Sequence, residues 1–260
     1  MLIGKYKILT NNILVCDYDY LFSLILKGLK NSRPVLICPA ATYALVIAYR
    51  TTILKNILDK FYLVPDSQWV KWSINFLYGN SVVIKMRATD LMLKTVSFAQ
   101  KNKLKIFLYG TNKSTLKKLN IELKKNFPAI NIVGSVPSKY RKLYLEEKKD
   151  IIMKINKSKA DIMFVGIGSP LQEKFSYEIV REFPALSKNI AIITVGAAFD
   201  FISGVKPQAP KFLQAMGLEW LFRLIDEPKR LSRRYLFYGP IFIFYVLMQK
   251  IKNDLNYKKL

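Results

Sequence analysis

The sequence predicts an α/β protein: a parallel sheet with helices on both faces, followed by a basic, aromatic helical tail. Short apolar runs alternate with helical patterns as far as residue 196. Strand signals then stop, near Gly204 to Pro210. Beyond that break, GLEWLFRLIDEPKRLSRRYLFYGP (217–240) sets four arginines among bulky apolar side chains, directly before the run YLFYGPIFIFYVLM.

In chain order the strand candidates are NILVC (12–16), PVLIC (34–38), YLVP (62–65), VVIK (82–85), KIFLYG (105–110), INIVG (130–134), DIMFVGIG (161–168) and IAIITVG (190–196). Each is short and almost wholly apolar, the pattern of a strand buried on both faces rather than one that alternates toward solvent. Helical patterns separate most of them. STLKKLNIELKKNF, for example, repeats Leu116, Leu119 and Leu123 at helical spacing before Pro128. Strand–helix alternation of this kind means a parallel sheet covered on both sides. Ligands of such sheets sit beyond the carboxyl ends of the strands. That rule selects Cys38 to Thr42, Asp66 to Gln68, Lys85 to Asp90, Gly110 to Asn112, Gly166 to Glu173 and Gly196 to Asp200.

Composition removes several classes of chemistry. The 260 residues contain no histidine, which excludes a Ser-His-Asp triad and histidine-ligated metals. Two cysteines, Cys16 and Cys38, are too few for a zinc cluster and fit a reducing compartment. No signal-peptide core is visible in an N-terminus interrupted by Asn11, Asn12, Asp17 and Asp19. A formal net charge of +24 with 51% hydrophobic residues points to a polyanionic partner, or else to a surface that is merely basic. No RNA- or DNA-binding signature is present, so nucleic acid is not the expected partner.

Individual motifs carry two readings each. In VGIGSPLQEKF, Gly166 and Gly168 follow a strand and open a helix whose first-turn amides suit a phosphate, with Gln172 and Glu173 pointing toward it. A ligand-free tight turn is the alternative. Asp66 ends a strand, where a carboxylate can serve as general base or as a helix N-cap. Asp17 and Asp19 in CDYDY imitate a metal-binding pair, but Asp19 reads better as the cap of the helix that follows, and no metal is expected. In the tail, Pro228 opens a helix on which Arg230, Arg233 and Arg234 fall at i, i+3 and i+4. Beside Trp220 and Tyr235 these arginines form either a diphosphate-gripping face or a solvated basic one.

The run from Tyr235 to Met248, interrupted by Gly239-Pro240, falls short of the roughly 20 apolar residues that cross a bilayer. With Lys229 and the arginines before it and Lys250 and Lys252 after it, it suits an anionic membrane face. Packing wholly on its own domain is the alternative.

IFLYGTNKSTLKKL, ADIMFVGIGSPLQEKF, IITVGAAFDFISG and GLEWLFRLIDEPKRLSRRYLFYGP together resemble the WecG/TagA/CpsF family of bacterial glycosyltransferases, more weakly upstream through VPDSQWV and KMRATDLM. The resemblance implies a Rossmann-like body over 1–204 and a C-terminal appendage over 205–260 that completes the active site. It implies inverting transfer from a UDP-sugar to a polyprenyl-diphosphate-linked saccharide at the cytoplasmic face of the membrane, for surface polymers such as teichoic acid. Asp66 takes the place of the family's proposed base. Lys85 stands where an arginine is usual, Gln172 and Glu173 match the glutamine motif, and Arg223, Arg230 and Arg233 match appendage arginines. Asp90 belongs to the matching KMRATDLM segment. Donor sugars of the N-acetylmannosamine, mannosaminuronic or glucuronic type follow from it. No cofactor is expected, and self-association into a homo-oligomer is left open. The sequence departs from the family at Cys38, Ala40, Ser67, Ala88 and Gln208, mostly toward the donor half.

Overall fold

A computed structural model describes residues 3–79, 83–139, 141, 143–183 and 189–257. Eight strands form one sheet in the order β1-β2-β4-β3-β8-β7-β5-β6. They are β1 (Gly4–Ile8), β2 (Asn11–Val15), β3 (Val35–Ala40), β4 (Tyr62–Pro65), β5 (Lys105–Gly110), β6 (Asn131–Val136), β7 (Ile162–Gly166) and β8 (Ala191–Thr194). Every pairing is parallel except β1 with β2, so the predicted Rossmann-like parallel sheet is present with an antiparallel edge. The central β3, β7 and β8 are buried along their whole length, which is why their sequences are continuous apolar runs.

Helices cover both faces. One face carries α2 (Thr42–Arg50), α3 (Thr52–Leu58), α4 (Gln68–Tyr78), α7 (Leu145–Ser158) and α8 (Leu171–Glu182). The other carries α1 (Tyr18–Lys30), α5 (Ala88–Lys101), α6 (Lys113–Asn126) and α9 (Ala198–Ile202). The leucines read at helical spacing, Leu116, Leu119 and Leu123, are the buried stripe of α6. The neighbouring strands β3 and β8 send their following helices to opposite faces. A crevice opens there, at the carboxyl ends of the strands.

The elements differ from expectation at VVIK, at β1 and at the cap of α1. VVIK forms no strand: Val82 lies outside the described residues, and residues 83–87 run as irregular chain, with one backbone bond from Met86 N–H to Pro65 O at 2.7 Å. β4 is already paired on both sides, by β2 and β3, so no ladder is open to that segment. β1 was not anticipated, because it carries two lysines and buries only Ile8 fully, and its two-residue turn, Leu9-Thr10, has no glycine. The cap of α1 is Asp17, whose carboxylate accepts from Tyr20 N–H at 2.8 Å, with Asp19 in the first turn.

After Gly204 the described chain is helical only: α10 (Lys211–Ala215), α11 (Glu219–Asp226), α12 (Pro228–Ser232), a π-helical turn (Arg233–Phe237) and α13 (Tyr238–Tyr257). Pro228 opens α12 as read. Gly239-Pro240 does not interrupt the apolar run: α13 follows directly on the π-helical turn and continues through Pro240. One face of α13 is anchored to the body. Phe242 and Val246 are buried, Tyr245 packs on Tyr49, and Gln249 bonds Leu9 N–H and Lys7 O at 2.8 Å each. The opposite face leaves Ile243, Phe244, Leu247, Met248, Ile251 and Leu255 exposed. The packing reading therefore holds for one face, and the other face is left apolar and exposed.

Candidate active site

Asp66 follows β4 directly. The cap of α4 is its neighbour Ser67, whose hydroxyl accepts from Val70 N–H at 3.2 Å, so Asp66 is spared that duty. Its Oδ1 instead accepts from Ala88 N–H, at the start of α5, at 3.0 Å. Burial, and secondarily the charge of Glu219, push the Asp66 carboxyl up to about 6, against the pull of Ala88 N–H, Arg223 and Arg234. A carboxyl tuned in this way is ionised at neutral pH and still basic enough to take a proton.

Two cavities meet at Asp66. The first is lined by Gly168, Gln172, the Thr194–Ala198 turn and Arg230, and the second by Trp69, Lys85, Trp220 and Tyr235. Both are also walled by Ala41, Asp66, Arg87, Glu219, Arg223 and Arg234. Every strand-end segment selected from the sequence contributes, apart from Gly110–Asn112. Thr111 is occupied elsewhere, with its hydroxyl 3.2 Å from Asp200 Oδ1.

The glycines divide their work. A side chain at Gly166 would meet the Phe199 ring at 2.7 Å, so its smallness serves packing rather than a ligand. Gly168 has φ 82 and nothing within 4 Å of where a Cβ would sit, so it is the open, left-handed position in the cleft. The start of α8 offers fewer amides than expected. Pro170 has no N–H, and Gln172 N–H is spent on Gly168 O at 3.0 Å. Gln172 lines the first cavity and holds the turn beside it, its Oε1 accepting from Gly196 N–H at 3.0 Å. Glu173 does not face the cleft. It is 1% exposed, its Oε1 accepting from Gln172 Nε2 at 3.0 Å and from the Cys38 thiol at 3.5 Å. Burial raises its carboxyl, which has no cationic partner among these contacts.

The tail arginines separate in the same way. Arg223 and Arg234 line both cavities; Arg223 stacks over Phe201 at 5.3 Å and Arg234 over Tyr43 at 5.3 Å. Arg223 Nε is buried with no hydrogen-bond partner among the described residues, a donor suited to an anionic ligand. Desolvation lowers the Arg234 guanidinium pKa. Arg230 reaches the first cavity while clamped on Glu227, at 2.5 and 2.6 Å; Glu227 also takes Lys206 at 2.8 Å. Arg233 is exposed and lines neither cavity. On this helical turn the i and i+4 arginines face the cleft and the i+3 arginine faces away.

Lys85 lines the second cavity, its Nζ 3.4 Å from Gln214 O, and desolvation is the chief cause lowering its pKa. Asp90 lies outside both cavities, 3.6 Å from Arg87 Nη1. The sequence reading missed Arg87 and Glu219. Arg87 is buried between the cavities, its Nε 3.0 Å from Glu219 Oε2, and also bonds Gln214. Arg87 lies two residues after Lys85, in the segment that resembles the family, and that proximity is the signal in the sequence that marks it.

A carboxylate between two cation-walled cavities, at the carboxyl ends of a parallel sheet, sets a proton acceptor beside room for anionic ligands. Comparison with known proteins specifies the class. The model of the glycosyl transferase WecG/TagA/CpsF family matches residues 6–256, and the chain belongs to that family. It is 29% identical over 172 residues to the N-acetylglucosaminyldiphosphoundecaprenol N-acetyl-beta-D-mannosaminyltransferase of Bacillus spizizenii, and 30% identical to the protein of that name from Bacillus subtilis (strain 168). Each match covers 66% of this chain and 63% of the relative, so the chain spans less than two thirds of the length of these curated relatives.

Proposed function

We propose that this chain transfers an N-acetylmannosamine-type sugar, with inversion, from a UDP-sugar to a polyprenyl-diphosphate-linked saccharide in cell-wall polymer synthesis. The observation that carries the reading is the position of Asp66 at the junction of the two cavities. The names of the two Bacillus relatives support the acceptor class and the sugar.

In this reading the donor's diphosphate lies in the first cavity, near Gly168, Arg223, Arg230 and Arg234. The acceptor sugar enters the second, whose Trp69, Trp220 and Tyr235 offer flat apolar faces to a sugar ring. With Oδ1 held by Ala88 N–H, Asp66 Oδ2 takes the proton of the acceptor hydroxyl. The oxygen so freed forms its bond to the anomeric carbon as the bond from that carbon to UDP breaks. The negative charge growing on UDP is met by guanidinium groups already in place, which need no reorganisation during the step. The reading assigns this compensation to Arg223, Arg230 and Arg234, leaves Lys85 to the acceptor cavity, and invokes no metal ion.

No helix among the described residues is long and apolar enough to cross a membrane. The exposed apolar face of α13, with Leu236 and Phe237 before it, is proposed to lie in an anionic membrane surface at its cytoplasmic side, where the lipid-linked acceptor is found.

The test is purified protein with a panel of UDP-sugars, including the uronic acids, and a short-chain lipid-diphosphate acceptor, scored for UDP release. Acceptor-dependent release with UDP-N-acetylmannosamine supports the reading; no release with any donor overturns it.

A further inference from the structure

We propose that Glu219 is a positioning residue that holds Arg87 off Asp66 and thereby keeps Asp66 free to act as the base. This rests on the transfer reading above.

The Arg87 side chain is only 10% exposed, and a guanidinium removed from water needs a carboxylate nearby. Glu219 supplies it, with Oε2 3.0 Å from Nε and Oε1 3.4 Å from Nη2. Nη1 donates to Gln214 Oε1, while Gln214 Nε2 is anchored on Ala209 O at 2.5 Å. Gln214 and Glu219, which hold this guanidinium beside the longer Asp90 contact, come from the C-terminal helical segment, although Arg87 belongs to the body. Asp66, Arg87 and Glu219 wall the same two cavities. Without Glu219, the carboxylates left for Arg87 are Asp66 and the more exposed Asp90, which stands 3.6 Å from Nη1. An Asp66–Arg87 ion pair would be a poor base, because its carboxylate is already neutralised and its lone pairs are occupied.

Electrostatics reinforce the geometry. The groups acting on Asp66 are Glu219 and Arg223 from α11, Arg234 from the π-helical turn, Lys85 from the segment before α5 and the Cys38 thiol from β3, while the Arg87 side chain walls the same cavities. Of these only Glu219 is a carboxylate, and it raises the proton affinity of Asp66 against the cations. Placing it on α11 makes the competence of the base depend on where that helix sits. The reactive carboxylate and the group that tunes it then come from opposite sides of the cleft.

The experiment is a carboxyl ¹³C titration of Asp66 in the full-length protein, its signal assigned by loss in Asp66→Asn. Wild type, Glu219→Gln and Glu219→Asp are compared, with pH profiles of transfer recorded on the same samples. In Glu219→Gln the Asp66 midpoint and the acid limb of kcat both move to lower pH. Its kcat falls about tenfold, the loss expected of a weakened base, with KM for the donor unchanged. Glu219→Asp keeps the charge and stays close to wild type, which separates the effect from a change in folding. A midpoint in Glu219→Gln that overlays wild type, or one that moves equally in Glu219→Asp, overturns the inference. A shifted midpoint in a wild-type background that shows no transfer would overturn the transfer reading and leave the link between Glu219 and Asp66 standing.

Discussion

The carboxylate of Asp66 caps α5 from outside that helix, accepting the N–H of Ala88 at 3.0 Å, although the two residues lie 22 apart in sequence. This bond orients the carboxylate without neutralising it, and burial outweighs it in setting the proton affinity. Asp66 has an ordinary value of 3.8 in the unfolded chain and about 6 in the folded one. The folded state thus binds the proton more tightly. Its contribution to stability is fully present below the lower value and is lost as pH rises through the higher one. Asp66→Asn is therefore expected to raise stability at pH 8 by about 1–3 kcal/mol, a gain that disappears near pH 4. Transfer by the same variant should fall by roughly 10²–10⁴-fold. Denaturant unfolding at the two pH values, beside UDP-release assays, checks both halves.

The separation of the tail arginines gives a sharp contrast. Arg223 and Arg234 wall both cavities, whereas Arg233 is exposed. Arg223→Ala and Arg234→Ala are each expected to cost at least about tenfold in kcat/KM, the scale of one lost charge-assisted contact. Arg233→Ala should transfer at the wild-type rate. Steady-state kinetics of the three variants decide it, and an Arg233 loss equal to the others would contradict the assignment.

Glu173 offers a different contrast. Its carboxyl is buried against Gln172 and Cys38, and burial favours the neutral form. Glu173→Gln keeps that shape without a titratable proton. Thermal unfolding should show the variant at least as stable as wild type at pH 8, with Gln172 still holding Gly196 and turnover preserved. Glu173→Ala leaves Gln172 Nε2 without its acceptor, and is expected to destabilise by about 1–3 kcal/mol.

The two faces of α13 should respond separately. Phe242 is 1% exposed and Phe244 is 57% exposed. Phe242→Ala opens a cavity and should cost about 3–5 kcal/mol in unfolding experiments. Phe244→Glu combined with Leu247→Glu should leave unfolding unchanged while weakening co-sedimentation with vesicles containing anionic lipid. Undiminished vesicle binding by that double variant would remove the exposed face from membrane contact.

Much of the architecture was written locally. Continuous apolar runs at β3, β7 and β8 specify buried parallel strands, because a strand covered on both faces has no polar side to show. Asp66, Gly168 and Gln172 could be chosen from strand ends, where chemistry collects in such sheets, whereas the site roles of Lys85, Arg223 and Arg230 came from the family resemblance. The sequence could also mark the tail as cationic and amphipathic. Tertiary structure decided the rest. VVIK looks like a strand until β4 proves to be paired on both sides. Arg233 looks equivalent to Arg230 until the turn's orientation sends it to solvent. Glu173 follows Gln172 in sequence yet points into the core. Arg87 and Glu219, 132 residues apart, acquire their meaning only from meeting across the cleft. The physical reason is range: apolar periodicity and turn chemistry act over a few residues, while the pairing of buried charges depends on what the fold delivers from elsewhere in the chain.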